Sequence, residues 1–79
     1  MGDGTFLIGA DIEPGQYKTT VPPETDLACM WHRLRGTGGT RAEKIETGFE
    51  RPGADAFVTI QPGDKAFDSL DCGTWTKVG

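Results

Sequence analysis

Between residues 55 and 61 the chain alternates in character, with Val58 and Ile60 interleaved by Phe57, Thr59 and Gln61. A period of two sends one set of side chains into a core and the other outward, so this stretch predicts a strand. Similar short runs rich in Thr, Val, Ile and aromatic residues recur along the chain, separated by turn residues that include most of the twelve glycines and five prolines. They predict strands near 5–9, 15–21, 28–35, 55–61, 65–70 and 73–78. The fold class expected is therefore all-β: a single small domain over residues 1–79, built as a β-sandwich or partly open barrel of about six short strands with at most one helical turn.

Residues 41–49 offer the only helical alternative, since Ala42, Ile45 and Phe49 recur at i, i+3 and i+7 among charged neighbours. Gly48 falls inside that window and weakens it, so a single turn or an irregular connection is an equal expectation. One echo is internal: Ile12-Glu13-Pro14-Gly15 and Ile60-Gln61-Pro62-Gly63 share Ile, polar, Pro, Gly. Proline presets the first central position of a β-turn and glycine accepts positive φ at the second, so both sites predict type II turns feeding a strand.

At 79 residues, of which 35% are hydrophobic, the chain has little core with which to offset its conformational entropy, and a staple or a partner is expected. Two cysteines, Cys29 and Cys72, fit one disulfide in a short loop-rich chain; two buried free thiols are the alternative. The net charge of −4 argues against a phosphate-backbone binder, which would display a basic face. Arg33, Arg35, Arg41 and Lys44 form the one local basic run, split between a predicted strand and a predicted loop, and a solvated edge or an internal salt bridge accounts for them. No run approaches the 18 or so apolar residues that span a bilayer, so no membrane insertion is expected. The start, Met1-Gly2-Asp3-Gly4, has neither a basic nor an apolar region, so no signal peptide is expected in it, and Phe6 breaks the myristoylation pattern. Such a start suits either a mature fragment behind a new methionine or a complete small protein.

The candidate chemistry is thin. His32 is the sole histidine and Ser69 the sole serine, and nothing in the sequence brings the two together as a triad requires. Cys29 and His32, three apart on a strand, point to opposite faces and do not form a thiolate–imidazole pair. Cys29, His32 and Cys72 fall short of the four ligands and paired spacing of a structural zinc site. Asp64, Asp68 and Asp71 lack the register of a calcium loop and read as surface acids. No catalytic residue, metal or cofactor is expected. Of the aromatics, Trp31 and Trp75 each lie close to a cysteine, and packing of indole on a disulfide is the leading expectation. An exposed indole would instead be a platform for a sugar or a partner.

The order Gly2-Asp3-Gly4-Thr5, Gly9-Ala10-Asp11-Ile12-x-Pro14-Gly15-x-Tyr17, Cys29-x-Trp31-x-Arg33-Leu34, Val58-Thr59-Ile60-x-Pro62-x-Asp64-x-x-Phe67 and Cys72-Gly73-Thr74-Trp75-Thr76-Lys77-Val78 resembles a small disulfide-containing domain. That domain, of an uncharacterised family, ends secreted proteins and lipoproteins of actinobacteria and occurs in proteins of their phages. The resemblance covers nearly the whole chain, and Cys-x-Trp and Cys-Gly-Thr-Trp are its most specific pieces. It implies a Cys29–Cys72 disulfide, a compact β fold and an extracytoplasmic setting, and neither a reaction nor a ligand. Residues 36–50 depart from the pattern, carrying the charged Thr40-Arg41-Ala42-Glu43-Lys44 where relatives are apolar, and are where individual specificity is expected.

These readings converge on a non-enzymatic binding or accessory module, secreted or at the cell surface, or in a phage context, that contacts a protein or cell-envelope component and not nucleic acid. The alternative is a structural or assembly protein such as a phage virion component, with homo-oligomers formed through an edge strand. Candidate binding residues are Trp31, Trp75, Arg33, Arg35, Arg41 and Lys44.

Overall fold

The computed structural model describes residues 2–24, 28–38 and 41–79. Seven strands appear among them: β1 (Gly4–Leu7), β2 (Gly15–Thr20), β3 (Cys29–Leu34), β4 (Lys44–Glu50), β5 (Asp55–Ile60), β6 (Ala66–Leu70) and β7 (Thr76–Lys77). They form a four-stranded sheet in the order β1-β6-β3-β4 and a three-stranded sheet in the order β5-β2-β7, with every strand pairing antiparallel.

The alternation read in residues 55–61 places Ala56, Val58 and Ile60 of β5 inside, where they meet Tyr17 of β2. Cys29 and Trp31 of β3 and Phe67 of β6 close the core from the other sheet. Phe67 lies between the two indoles, 6.1 Å from the Trp31 ring and 5.3 Å edge-on to Trp75. Cys29 and Cys72, both fully buried, are joined as a disulfide, so the free-thiol alternative does not hold. The result is an all-β sandwich around one core.

Three local expectations are corrected. Residues 41–49 hold the single turn rather than the helix, a 3-10 turn at Arg41–Glu43, but they run on as a strand that was not expected, β4, the longest described strand. Ile45, Thr47 and Phe49 fit a strand's alternation as well as Ala42, Ile45 and Phe49 fit a helix, and the open edge of β3 offers a ladder that a solvated helix would lack. The predicted 73–78 strand shrinks to Thr76–Lys77. Neither Pro-Gly pair makes a type II turn. At 61–64 the Asp64 amide does bond back to the Gln61 carbonyl at 3.0 Å, but Gly63 is not among the glycines with positive φ, as type II requires. At 13–16 the Gln16 amide bonds Gly79 rather than Glu13, and Gly15, at φ 148°, is already in β2.

Candidate functional site

The outer faces of the two sheets differ in character. On the three-stranded sheet Lys18 pairs across to Phe57 and reaches Asp55 at 3.6 Å, with Thr20 bonded to the same carboxylate at 2.8 Å. That face is mostly polar and internally matched. On the four-stranded sheet the register instead lines up three rows of side chains. Met30 of β3 stands between Leu70 of β6 and Phe49 of β4; in the next row His32 stands between Asp68 and Thr47, with Thr5 beyond Asp68; in the third Ala66 stands between Leu7 and Leu34. A polar strip thus crosses the sheet with apolar rows on both sides. Phe49, Leu70 and Leu7 are 67%, 51% and 45% exposed.

The strip is ordered by its own hydrogen bonds. Thr5 Oγ1 donates to Asp68 Oδ1 at 3.2 Å, and the Thr47 hydroxyl and His32 Nδ1 share a 2.8 Å hydrogen bond. Only 8% of His32 is exposed. Burial lowers its pKa below the usual imidazole value and the Lys44 ammonium lowers it further, against a smaller upward pull from Asp68. Beside the strip a depression of about 280 Å³ is lined by Thr5, His32, Leu34, Thr37, Lys44 and Asp68, among others. Its far wall is held by Glu43, whose carboxylate accepts from the Gly38 amide at 2.9 Å and whose carbonyl accepts from the Arg35 amide at 2.7 Å.

The residues singled out in the sequence are dispersed. Trp31 and Trp75 are 8% and 3% exposed, and the Trp75 indole N–H is spent on Ser69 Oγ at 2.9 Å, so both serve the core and neither is an exposed platform. Arg33 lies on the inner side of β3, forked onto Asp64 through Nε at 2.8 Å and a terminal nitrogen at 2.9 Å, with Glu46 at 3.1 Å. Of the two accounts given for the basic run, a solvated edge or an internal salt bridge, Arg33 takes the second. Arg35 and Arg41 are exposed, and of the six only Lys44 borders the outer-face depression. The 36–50 segment is not one loop: 44–50 is β4, and Thr40 lies outside the described residues.

The three clustered acids separate as well. Asp64 is buried, Asp68 joins the strip, and Asp71 turns the chain with φ 58° while its amide bonds Asp3. Asp68 and the two threonines were invisible as a group in the sequence because only the β1-β6-β3-β4 register unites them. The one signal available was parity: Asp68 and Leu70 alternate with the buried Phe67 and Ser69. His32 and Ser69 sit on opposite faces of the sheet, which precludes their acting together. No group of three metal-binding side chains occurs among the described residues.

A family model described as the Rv1352-like extracellular domain matches residues 1–76. This chain belongs to that family. It is 28% identical over 87 residues to the uncharacterized protein Rv1352 of Mycobacterium tuberculosis strain H37Rv, covering 98% of this chain and 69% of the relative. An uncharacterized protein of Mycobacterium bovis, Mb1387, matches to the same extent. No solved structure matches the chain. The extracellular family and the intramolecular disulfide agree with each other, since such bonds persist in oxidising compartments. Among the described residues no helix is long and apolar enough to cross a membrane.

Proposed function

We propose that this domain is a non-enzymatic binding module that works outside the cytoplasm, as an accessory unit of a secreted, lipid-anchored or phage-borne protein. It grips a protein partner with the outer face of its four-stranded sheet. The observation that carries this reading is the placement of Leu7, Phe49 and Leu70, all substantially exposed, in rows on both sides of an ordered polar strip, whereas on the other sheet the exposed Phe57 stands beside the Lys18–Asp55 pair. Exposed apolar surface with a few fixed polar groups is what protein interfaces use, the apolar part supplying affinity and the strip supplying register. Burial of both tryptophans favours a protein over an envelope glycan, which would want an exposed indole on which to stack. The His32–Thr47 pair superficially resembles a base beside a hydroxyl nucleophile. The two are directly opposed residues of the β3–β4 ladder within the polar strip beside Asp68, so a positioning role fits the pair better.

The test is photo-crosslinking from single positions in mycobacterial envelope extract. A benzophenone side chain at 70 or 49 should capture a discrete protein, one at 57 on the opposite sheet should not, and Leu7→Asp should abolish capture from 70. Equal capture from both sheets, glycan binding without protein capture, or a turnover lost in His32→Gln would overturn the reading.

A further inference from the structure

We infer that two copies of this domain associate edge to edge through β4, antiparallel about a twofold axis at Thr47, joining their four-stranded sheets into one continuous sheet. This goes beyond the binding role proposed above and does not depend on it. Two independent features of β4 carry it. The first is its isolation. β4 is the longest described strand, among the described strands it pairs with β3 alone, and none of its seven residues is buried. Fixing a backbone costs conformational entropy that buried side chains ordinarily offset, and β4 has none to set against it. Its outer ladder of N–H and C=O groups, which no other described strand takes up, is a ready template for another strand. Edges are commonly blunted by bulges, and β4 has one: the register on β3 shifts between Arg33 and Leu34, which leaves Ile45 without a partner there. Residues 46–50 beyond it remain in regular register.

The second feature is self-complementarity, which commits the occupant to a second copy. With the axis on Thr47, antiparallel pairing sets Thr47 against Thr47, a favourable cross-strand pair. It sets Glu46 against Gly48, so that no acid faces an acid, and brings Ile45 beside Phe49, apolar against apolar, at both ends. Lys44 comes to the end of the partner strand that carries Glu50, which supplies opposite charges despite the acidic balance of the whole chain. Moving the axis by one residue to Gly48 would put Glu46 against Glu50 and Phe49 against Thr47, losing each of these matches. The other free edges are weaker candidates. β1 and β7 have four and two residues, and β5 already buries Ala56, Val58 and Ile60, so its order needs no partner.

The association is read by light scattering and sedimentation of the 79-residue chain, from micromolar to millimolar concentration. The mass should rise with concentration toward twice the 8.5 kDa of one chain. The double variant Ile45→Lys, Phe49→Lys should stay at 8.5 kDa throughout while keeping the β-sheet circular dichroism of the folded monomer, because both side chains are exposed. Thr47→Cys under mild oxidation should give a dimer whose peptide map shows the 47–47 cystine, because directly opposed β-carbons lie within reach of one another. Thr59→Cys on β5 should not. A mass fixed at one chain up to millimolar concentration, a dimer that survives the double lysine variant, or a cystine that forms from Thr59→Cys in preference to Thr47→Cys would overturn the inference.

Discussion

The indole of Trp31 lies where a β-carbon on Gly48 would stand, because the two residues are directly opposed in the β3–β4 ladder and the ring leans across toward the strand edge. A methyl group there would have to displace buried ring atoms that already pack on Phe67. Gly48→Ala should therefore destabilise the domain by about 1–3 kcal/mol, in the range of other overpacked cores, and denaturant melts measure it. It should do so although alanine ordinarily improves on glycine in a strand. On the other side of the same sheet His32 makes the outer face pH-sensitive. Its folded pKa is depressed by burial and by Lys44, with Asp68 opposing, so the unfolded chain takes up the proton first as acid is added. The unfolded state then binds more protons than the folded one, and stability falls as the pH drops below 6.5 toward the folded value. Chemical denaturation at a series of pH values should show this loss in the natural sequence and a flatter profile in His32→Gln, which cannot titrate.

The connection from β5 to β6 is tied to β3 by the Arg33–Asp64 ion pair. Burial alone would push the Asp64 carboxyl up, but the Arg33 guanidinium and the Gln61 amide outweigh it and hold the acid below the usual carboxylate range. The side chains are 15% and 3% exposed at Arg33 and Asp64, so removing one partner strands a largely desolvated charge. Asp64→Ala should cost about 3–5 kcal/mol, and in the natural protein this support is present above pH 3.8 and lost as acid carries Asp64 through its lowered pKa. Glu46→Gln, which alters only the half-exposed second carboxylate, should change little, and thermal melts of the two variants make the comparison. The same pair shows what the sequence could disclose. Alternation at Val58 and Ile60 and cysteines close to tryptophans were legible, because each follows from local period or from the chemistry of burial; for the basic run the sequence left a solvated edge and an internal salt bridge open, and the structure divides it, with Arg33 in the bridge and Arg35 and Arg41 exposed. β4 was not legible, since Ala42, Ile45 and Phe49 satisfy a helical period and only the vacant edge of β3 decides between helix and strand. The outer-face strip was less legible still, because Thr5, His32, Thr47 and Asp68 come from four strands and become neighbours only through long-range register. The Pro-Gly turns misled for a related reason: at 61–64 the Asp64 side chain bonds the Gln61 amide, and this local bond goes with a turn in which Gly63 needs no positive φ.

At the scale of the molecule the question is how the seven short strands described, of which only some bury side chains, hold together in so small a chain. The core is compact but narrow, centred on Phe67, the two indoles and the β5 aliphatics. Its one covalent tie joins the first residue of β3 to the turn after β6, closing 43 residues of sequence. Thr19 adds a polar tie at the same place: its hydroxyl reaches the Cys72 carbonyl at 2.8 Å and the Thr74 carbonyl at 2.9 Å. That fixes the segment carrying Trp75 against β2 and so couples the disulfide to both sheets. In the chain-entropy account a loop of this length restricts the unfolded state by roughly 4 kcal/mol, which is most of the stability expected of such a domain. Reduction, or Cys29→Ala with Cys72→Ala, should lower the melting temperature by about 15–30 °C. The intact mass without reductant should be two hydrogens below that of the dithiol. The loss should appear together in both sheets, because the buried sulfurs touch the shared core rather than one edge of it. Tryptophan emission and amide exchange in β2 and β3 should then report one transition at the same lowered temperature. Retention of the oxidised melting point by the reduced protein would instead assign the stability to packing alone, and would remove the main physical reason for placing this fold in an oxidising compartment.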